Sequence, residues 1–110
     1  MKHIYHLKKN KDFQAVMQKK RSVSASAFVI YAMSNDLPHA RIGISVTKKL
    51  GNAVVRNRIK RQVRMMCDSI FSYENGFDWV IIIRKPYLDE DFETNSRQLN
   101  LLVSQLSLRV

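Results

Sequence analysis

Apolar and polar residues follow two different periods along the chain, and the switches between them predict its elements. Phe13, Val16 and Met17 recur at helical spacing. Asn10 stands ahead of them as an N-cap candidate and Asp12 suits a helix N-terminus, so a short helix is predicted over 11–20. VSASAFVIYAM, 23–33, is rich in β-branched and aromatic residues and predicts a strand, whole or bent into two. Alternation puts Phe28, Ile30 and Ala32 on one face and Val29, Tyr31 and Met33 on the other. Both faces are partly apolar: one can line the core, and the other needs a helix or a ligand over it. Asn35-Asp36-Leu37-Pro38 predicts a turn. In ARIGISV, 40–46, Ile42, Ile44 and Val46 face one way, while the small Gly43 and Ser45 leave the opposite face open to close approach. A hairpin between these two strands is expected.

Past Gly51-Asn52, the residues Val55, Ile59, Val63, Met66 and Ile70 are spaced by four, four, three and four. At ~100° per residue they share a stripe roughly 80° wide, which predicts a helix over 53–71. Asn75-Gly76 predicts a turn. WVIIIR, 79–84, is apolar on consecutive positions, as in a strand covered on both faces, and Lys85-Pro86 ends it. A last helix is predicted over 90–108. Asp89, Glu90, Asp91 and Glu93 gather at its N-terminus, and Phe92, Leu99, Leu102, Val103 and Leu106 form its apolar stripe. The order is α-β-β-α-β-α, or α-β-β-(β)-α-β-α if the first strand bends, an α+β sandwich. The 110 residues suffice for one domain with one core, and no repeat or linker suggests a boundary, so 1–110 reads as a single domain.

Charge changes the picture. The chain carries a net +10, but residues 1–64 hold 15 basic and 2 acidic side chains, whereas 65–110 hold 4 basic and 7 acidic. Self-repulsion of this size opposes a compact state unless a polyanion relieves it, and nucleic acid is the first candidate. A membrane is the second, but the longest apolar run, WVIII at 79–83, is far too short to span one. The N-terminus has no apolar stretch resembling a signal peptide, and a single cysteine, Cys67, fits a reducing compartment; a cytoplasmic protein is expected.

Much of the charge lies in the predicted central helix. Arg56, Lys60 and Arg64 form one row, with Asn57 and Arg61 beside it and Arg58 flanking the apolar stripe on its other side. Lys48 and Lys49 precede the helix, whose N-terminal N–H groups suit phosphate. A merely solvated face is the bland alternative, but such faces usually mix signs, and no acid stands between Lys48 and Met66. Phe13 and Tyr31 are candidate stacking platforms for unpaired bases. On pattern alone Phe13 reads first as a core residue of its helix, and Tyr31 stands evenly between the two roles. Catalytic chemistry is poorly supported. The acids at 89–93 point in different directions around a helix, His3, His6 and His39 lack ligand spacing, and Cys67 has no nearby histidine in sequence.

The stretch RIGISVTKKLGNAVVRNRIKRQVR, 41–64, resembles the signature of the bacterial ribonuclease P protein family, with its two lysines, its Gly-Asn turn and its RNR motif at Arg56-Asn57-Arg58. The similarity extends more weakly through LKKNKDFQAV, FVIY and VIIIRKP. The resemblance implies a small basic cofactor of a catalytic RNA that removes the 5′ leader of precursor tRNA by Mg²⁺-dependent hydrolysis, the metal being held mainly by the RNA. It implies a fold with a left-handed βαβ crossover, against the usual hand. It implies RNA contacts at Lys48, Lys49, Arg56, Asn57, Arg58, Lys60, Arg61 and Arg64, and a leader-binding cleft between first helix and sheet at Phe13, Met17, Tyr31 and Ser45. Gly43 and Ser45 would let a nucleotide reach the sheet. Two positions depart from the family: Met17 replaces a frequent Phe, and Ala25-Ser26 replaces a common Asn-Arg pair. The alternatives are a basic RNA-binding module of the ribosome and a protein-only metal nuclease; cleavage by the protein without RNA would mark the last.

Overall fold

A computed structural model describes residues 1–108. After a 3₁₀ turn at His3–Tyr5, the elements are α1 (Asn10–Gln18), β1 (Ser22–Ser24), β2 (Phe28–Ser34), β3 (Arg41–Ser45), α2 (Ala53–Ile70), β4 (Phe77–Ile83) and α3 (Phe92–Ser107). The α+β class and the element order are as expected. The first predicted strand is two, folded back at Ala25–Ala27. There the Ala25 N–H donates to Phe28 O at 2.9 Å, and Gln98 of α3 accepts from the Ala27 N–H at 2.8 Å.

The expected hairpin between β2 and β3 does not form. The sheet order is β1-β2-β4-β3, with β4 antiparallel to β2 and parallel to β3. The run of apolar residues in β4 explains the insertion: only a central strand buries both faces, and Trp79, Val80, Ile81 and Ile83 are all buried. The Asn35–Pro38 turn instead carries the chain past the start of β4, with the Asn35 N–H donating to Gly76 O at 2.8 Å and the Asn35 side chain accepting from the Leu37 N–H at 2.9 Å.

One sheet face holds the main core. Phe28, Ile30, Ala32, Ile42, Trp79, Ile81 and Ile83 meet Ile59, Val63, Met66 and Cys67 of α2 and Leu99, Leu102, Val103 and Leu106 of α3. One predicted cap and one predicted stripe position differ from expectation. Asn10 is the first residue of α1 rather than its cap, and Lys9, in the cap position, makes no side-chain cap bond. Phe92 overhangs the core at 41% exposed. Asn95, one turn ahead of Leu99, fills that place in the stripe, and its amide donates to Tyr87 O at 3.0 Å. Asn52 caps α2 by accepting from the Val55 N–H at 3.0 Å, and Asp91 caps α3 by accepting from the Thr94 N–H at 2.8 Å.

The opposite face has a single helix, α1, over a small cluster of Leu7, Val16 and Val80 with Phe13, Met17, Tyr31, Met33 and Ile82. Register arranges this face in rows: Arg41–Asp78–Met33, then Gly43–Val80–Tyr31–Ser22, then Ser45–Ile82–Val29–Ser24.

Candidate nucleic-acid interface

The one-helix face of the sheet is a cleft. Asp12 and Phe13 of α1 sit over the first two rows: Asp12 lies 3.7 Å from the Arg41 guanidinium, and the Phe13 ring lies on Gly43. A Cβ at Gly43 would collide with Phe13 Cζ and stand 2.8 Å from Cε1 and Cε2. The room expected over Gly43 is therefore filled by the protein's own aromatic ring. Ser45 keeps its expected openness, as it is half-buried in the row with Val29 and Ile82, also half-buried. Tyr31 and Met17 are half-buried too and share the α1-side cluster. Thus Phe13, Met17, Tyr31 and Ser45 all line one side of the sheet. Val29 and Ile82 belong with them, and their period-two parity with Tyr31 and Val80 was the signal for it.

Beneath α1 lies a polar anchor that the linear pattern did not reveal. Asp78 is 1% exposed. Its carboxylate accepts from Arg41 Nε at 2.9 Å and from Arg41 Nη2 at 2.7 Å, and from the Asn35 amide at 2.8 Å. This carboxylate fork raises the Arg41 pKa further, against the cost of burial. Arg41 thereby joins β3 to β4 and, through Asp12, to the helix that walls the cleft.

The basic segment lies on α2 and the turn before it, and α2 packs on the other face of the sheet, so only part of it can reach the cleft. Lys48 and Lys49 are exposed on a 3₁₀ turn, Lys48–Leu50, whose Leu50 is buried. Asn57 and Arg61 are exposed, while Arg56, Lys60 and Arg64 are half-buried. Arg56 Nε donates to Gly51 O at 3.2 Å, which ties this side chain to the loop before the helix. Lys60 and Arg64 reach the mouth of the cleft: with Phe13, Ile42, Ile44 and the N-terminal residues His6 and Lys8 they border a cavity of about 270 Å³. Arg58 does not join them. It points to the opposite side of α2, beside Tyr87, Leu88 and Glu90.

None of these cations is neutralised within the described residues. The ion pairs there are Arg41 with Asp78 and Asp12, and the Met1 amine with Asp68 at 2.8 Å. Asp68 is the first acid after the basic run, but it also accepts from the Tyr73 hydroxyl at 2.8 Å. The amine bond above all, helped by Tyr73 and opposed by burial, holds its carboxyl below the usual range.

Two of the residues considered for chemistry have a defined structural setting. Burial, with the nearby Asp68 charge, pushes the Cys67 thiol up to about 12, which disfavours the reactive thiolate. Asp91 is a helix cap, and the described residues bring together no group of three or more His, Cys, Asp or Glu able to hold a metal. No described helix is long and apolar enough to cross a membrane.

A cleft over a sheet, a basic helix along its rim and a signature shared with known proteins lead to comparison. The family model described as Ribonuclease P matches residues 1–107. The chain belongs to the ribonuclease P protein family. It is 47% identical over 105 residues to the ribonuclease P protein component of Mesoplasma florum, covering 94% of this chain and 96% of that protein. It is 43% identical over 99 residues to that of Streptococcus mutans, covering 90% and 83%. The solved structure of the Staphylococcus aureus RNase P protein superposes with a TM-score of 0.83 at 40% identity, covering 91% of this chain and 93% of that one. As a ribonuclease P protein component, the chain is a subunit of an endoribonuclease of tRNA processing.

Proposed function

We propose that the chain is the protein cofactor of a ribonucleoprotein whose RNA subunit cleaves the 5′ leader from precursor tRNA in the cytoplasm. The basic segment, with Lys48, Lys49, Arg56, Asn57, Arg58, Lys60, Arg61 and Arg64, binds the catalytic RNA, and the cleft at Phe13, Met17, Tyr31 and Ser45 holds the single-stranded leader. The observation that carries this is the junction of the two surfaces: Lys60 and Arg64 border the same cavity as Phe13. An RNA strand lying on the cleft floor meets apolar and aromatic groups for its bases and cations for its phosphates within one footprint.

The division of labour follows from the side chains. Arg forks engage phosphate oxygens in pairs, and Lys supplies point charge. Tyr31 and Phe13 offer ring faces to unpaired bases, and the Met17 thioether packs without stacking. Val29 and Ile82 complete an apolar floor, on which Ser45 is the polar group. Holding the leader adds affinity to precursor tRNA alone, because the mature product lacks that strand. Mg²⁺ belongs to the RNA in this scheme, where it supplies the hydrolytic chemistry; no proton or bond is assigned to a protein side chain.

Reconstitution tests this. Purified protein, a bacterial ribonuclease P RNA and precursor tRNA are mixed at low Mg²⁺, and leader release is followed. Cleavage that requires both protein and RNA is the expected result. An RNA active alone at high Mg²⁺ but not stimulated by the protein would overturn it and favour a ribosomal RNA-binding module.

A further inference from the structure

The cavity at the junction contains a group that the cofactor role has not used. His6 sits on the N-terminal segment, which runs along β3: His6 bridges Ile42, and the Leu7 N–H donates to Ile42 O at 3.0 Å. The backbone is thus fixed, and the ring is turned inward. Its Nε2 is buried and has no hydrogen-bond partner. Around the same cavity stand Lys8 from its own segment and Lys60 and Arg64 from α2, and no carboxylate lines it. Lys8 Nζ is 2.6 Å from His3 Nε2, which brings one more basic group beside Lys8. Asp68, whose carboxyl feels the His6 charge, is engaged by the Met1 amine and the Tyr73 hydroxyl. A cavity with a cationic wall, a buried unpaired ring nitrogen and an aromatic ring at its edge fits one nucleotide unit, with the phosphate inward and the base or sugar against Phe13.

We propose that His6, Lys60 and Arg64 form a phosphodiester-binding subsite joining the leader cleft to the basic helix, and that His6 binds the phosphate as imidazolium. This rests on the cofactor role proposed above and deepens it. In the free protein burial first and Arg64 second lower the His6 pKa below its ordinary value; the Met1 backbone opposes them, and Lys8 and His3 lower it by less. Together these effects favour the neutral ring. A phosphate in contact with it removes the electrostatic penalty and offers an acceptor to a protonated Nε2, so binding draws a proton onto the ring. Affinity therefore rises as pH falls through the window between the free and bound pKa values, by up to about tenfold per pH unit for one proton taken up. Without an anion the sign reverses: the unfolded chain holds this proton more readily, and the free protein loses stability as pH falls through about 6.5.

The phosphate has two sources, the leader or the catalytic RNA, and the test separates them. Affinities are measured from pH 8 to 6 in three arms: protein with ribonuclease P RNA, holoenzyme with precursor tRNA bearing a 5′-hydroxyl leader, and holoenzyme with mature tRNA. The 5′-hydroxyl keeps a titrating terminal phosphate out of the measurement. Wild type should tighten several-fold over this range in one arm, H6Q should be weaker at pH 6 and flat with pH, and H6K should be tight and flat. Tightening confined to precursor assigns the phosphate to the leader, and tightening in assembly assigns it to the catalytic RNA. As a check independent of variants, the His6 ring in NMR should titrate at higher pH when a single-stranded oligonucleotide is bound. If H6Q matches wild type in affinity and slope in every arm while wild type still stimulates cleavage, the subsite is wrong and the cofactor role stands. If wild type fails to stimulate cleavage, the cofactor role itself falls.

Discussion

Tyr31 and Arg41 show how single residues divide the work of the cleft. Tyr31 stands in the row Gly43–Val80–Tyr31–Ser22, half-buried against the α1 cluster. If Tyr31 stacks on a leader base, as proposed above, losing its ring removes a contact worth ~1–3 kcal/mol per base. Tyr31→Ala should therefore weaken precursor tRNA binding by the holoenzyme roughly 5- to 150-fold and leave mature tRNA unchanged. Equal losses on both substrates would take Tyr31 out of the leader cleft. Arg41 is different, because its task is structural. Arg41→Ala leaves the buried Asp78 carboxylate with only the Asn35 amide among the side-chain donors described here. Orphaned charges of this kind cost ~3–5 kcal/mol. The Arg41 side chain is 27% exposed, so water reaches the pair and the lower end, about 3 kcal/mol, is expected. Urea denaturation should show a lower midpoint with an unchanged m-value, and replacing both Arg41 and Asp78 by apolar residues should cost less than Arg41→Ala alone.

At the scale of elements, what is local in sequence was legible and what is not local was hidden. The α2 stripe of Ile59, Val63 and Met66 is buried as its spacing predicts, because one helix face against one core is a local pattern. The Asn52 cap is local too. Strand pairing is not: β2 and β3 read as hairpin partners because they are neighbours in sequence, yet both pair with β4, whose sequence lies beyond an 18-residue helix. Parity alone still put Tyr31 and Ser45 on the correct faces, since alternation survives a change of partner. The Phe13–Gly43 contact and the inward turn of His6 depend on how α1 and the N-terminal segment lie across β3, which no spacing encodes. For α2 as an element, the prediction concerns charge. Arg61→Ala and Arg64→Ala should each weaken binding to the catalytic RNA and reduce the slope of log affinity against log salt by roughly 0.7–0.9, the counterions of one phosphate. Unchanged slopes in both would remove this helix face from the interface. Arg58 points away from that row, toward Tyr87 and Glu90, so Arg58→Ala addresses a separate contact.

For the whole molecule, the decisive feature is where the acids go. Among the described residues, Asp78 and Asp12 serve Arg41, Asp68 serves the Met1 amine, and Asp91 caps α3. These acids hold elements together and are unavailable to the cations of α2, and the chain keeps a net +10. Folding therefore concentrates like charge on one face of α2, and the compact state carries a repulsion that the extended chain relieves. Anions should stabilise the protein. Screening lowers repulsion over about 10 Å at 0.1 M salt whatever the anion, whereas an anion seated at the junction cavity stabilises by mass action, ~2.7 kcal/mol at a hundred times its Kd. The two are separable by comparing melting temperatures in chloride and in phosphate at matched ionic strength. A clearly larger rise in phosphate, reduced when Lys60 or Arg64 is replaced by alanine, is the expected result. Equal rises at every ionic strength would mean that this face of charge acts only as a diffuse field. The cavity bordered by His6, Lys60 and Arg64 would then have no preference for phosphate in the absence of an RNA strand.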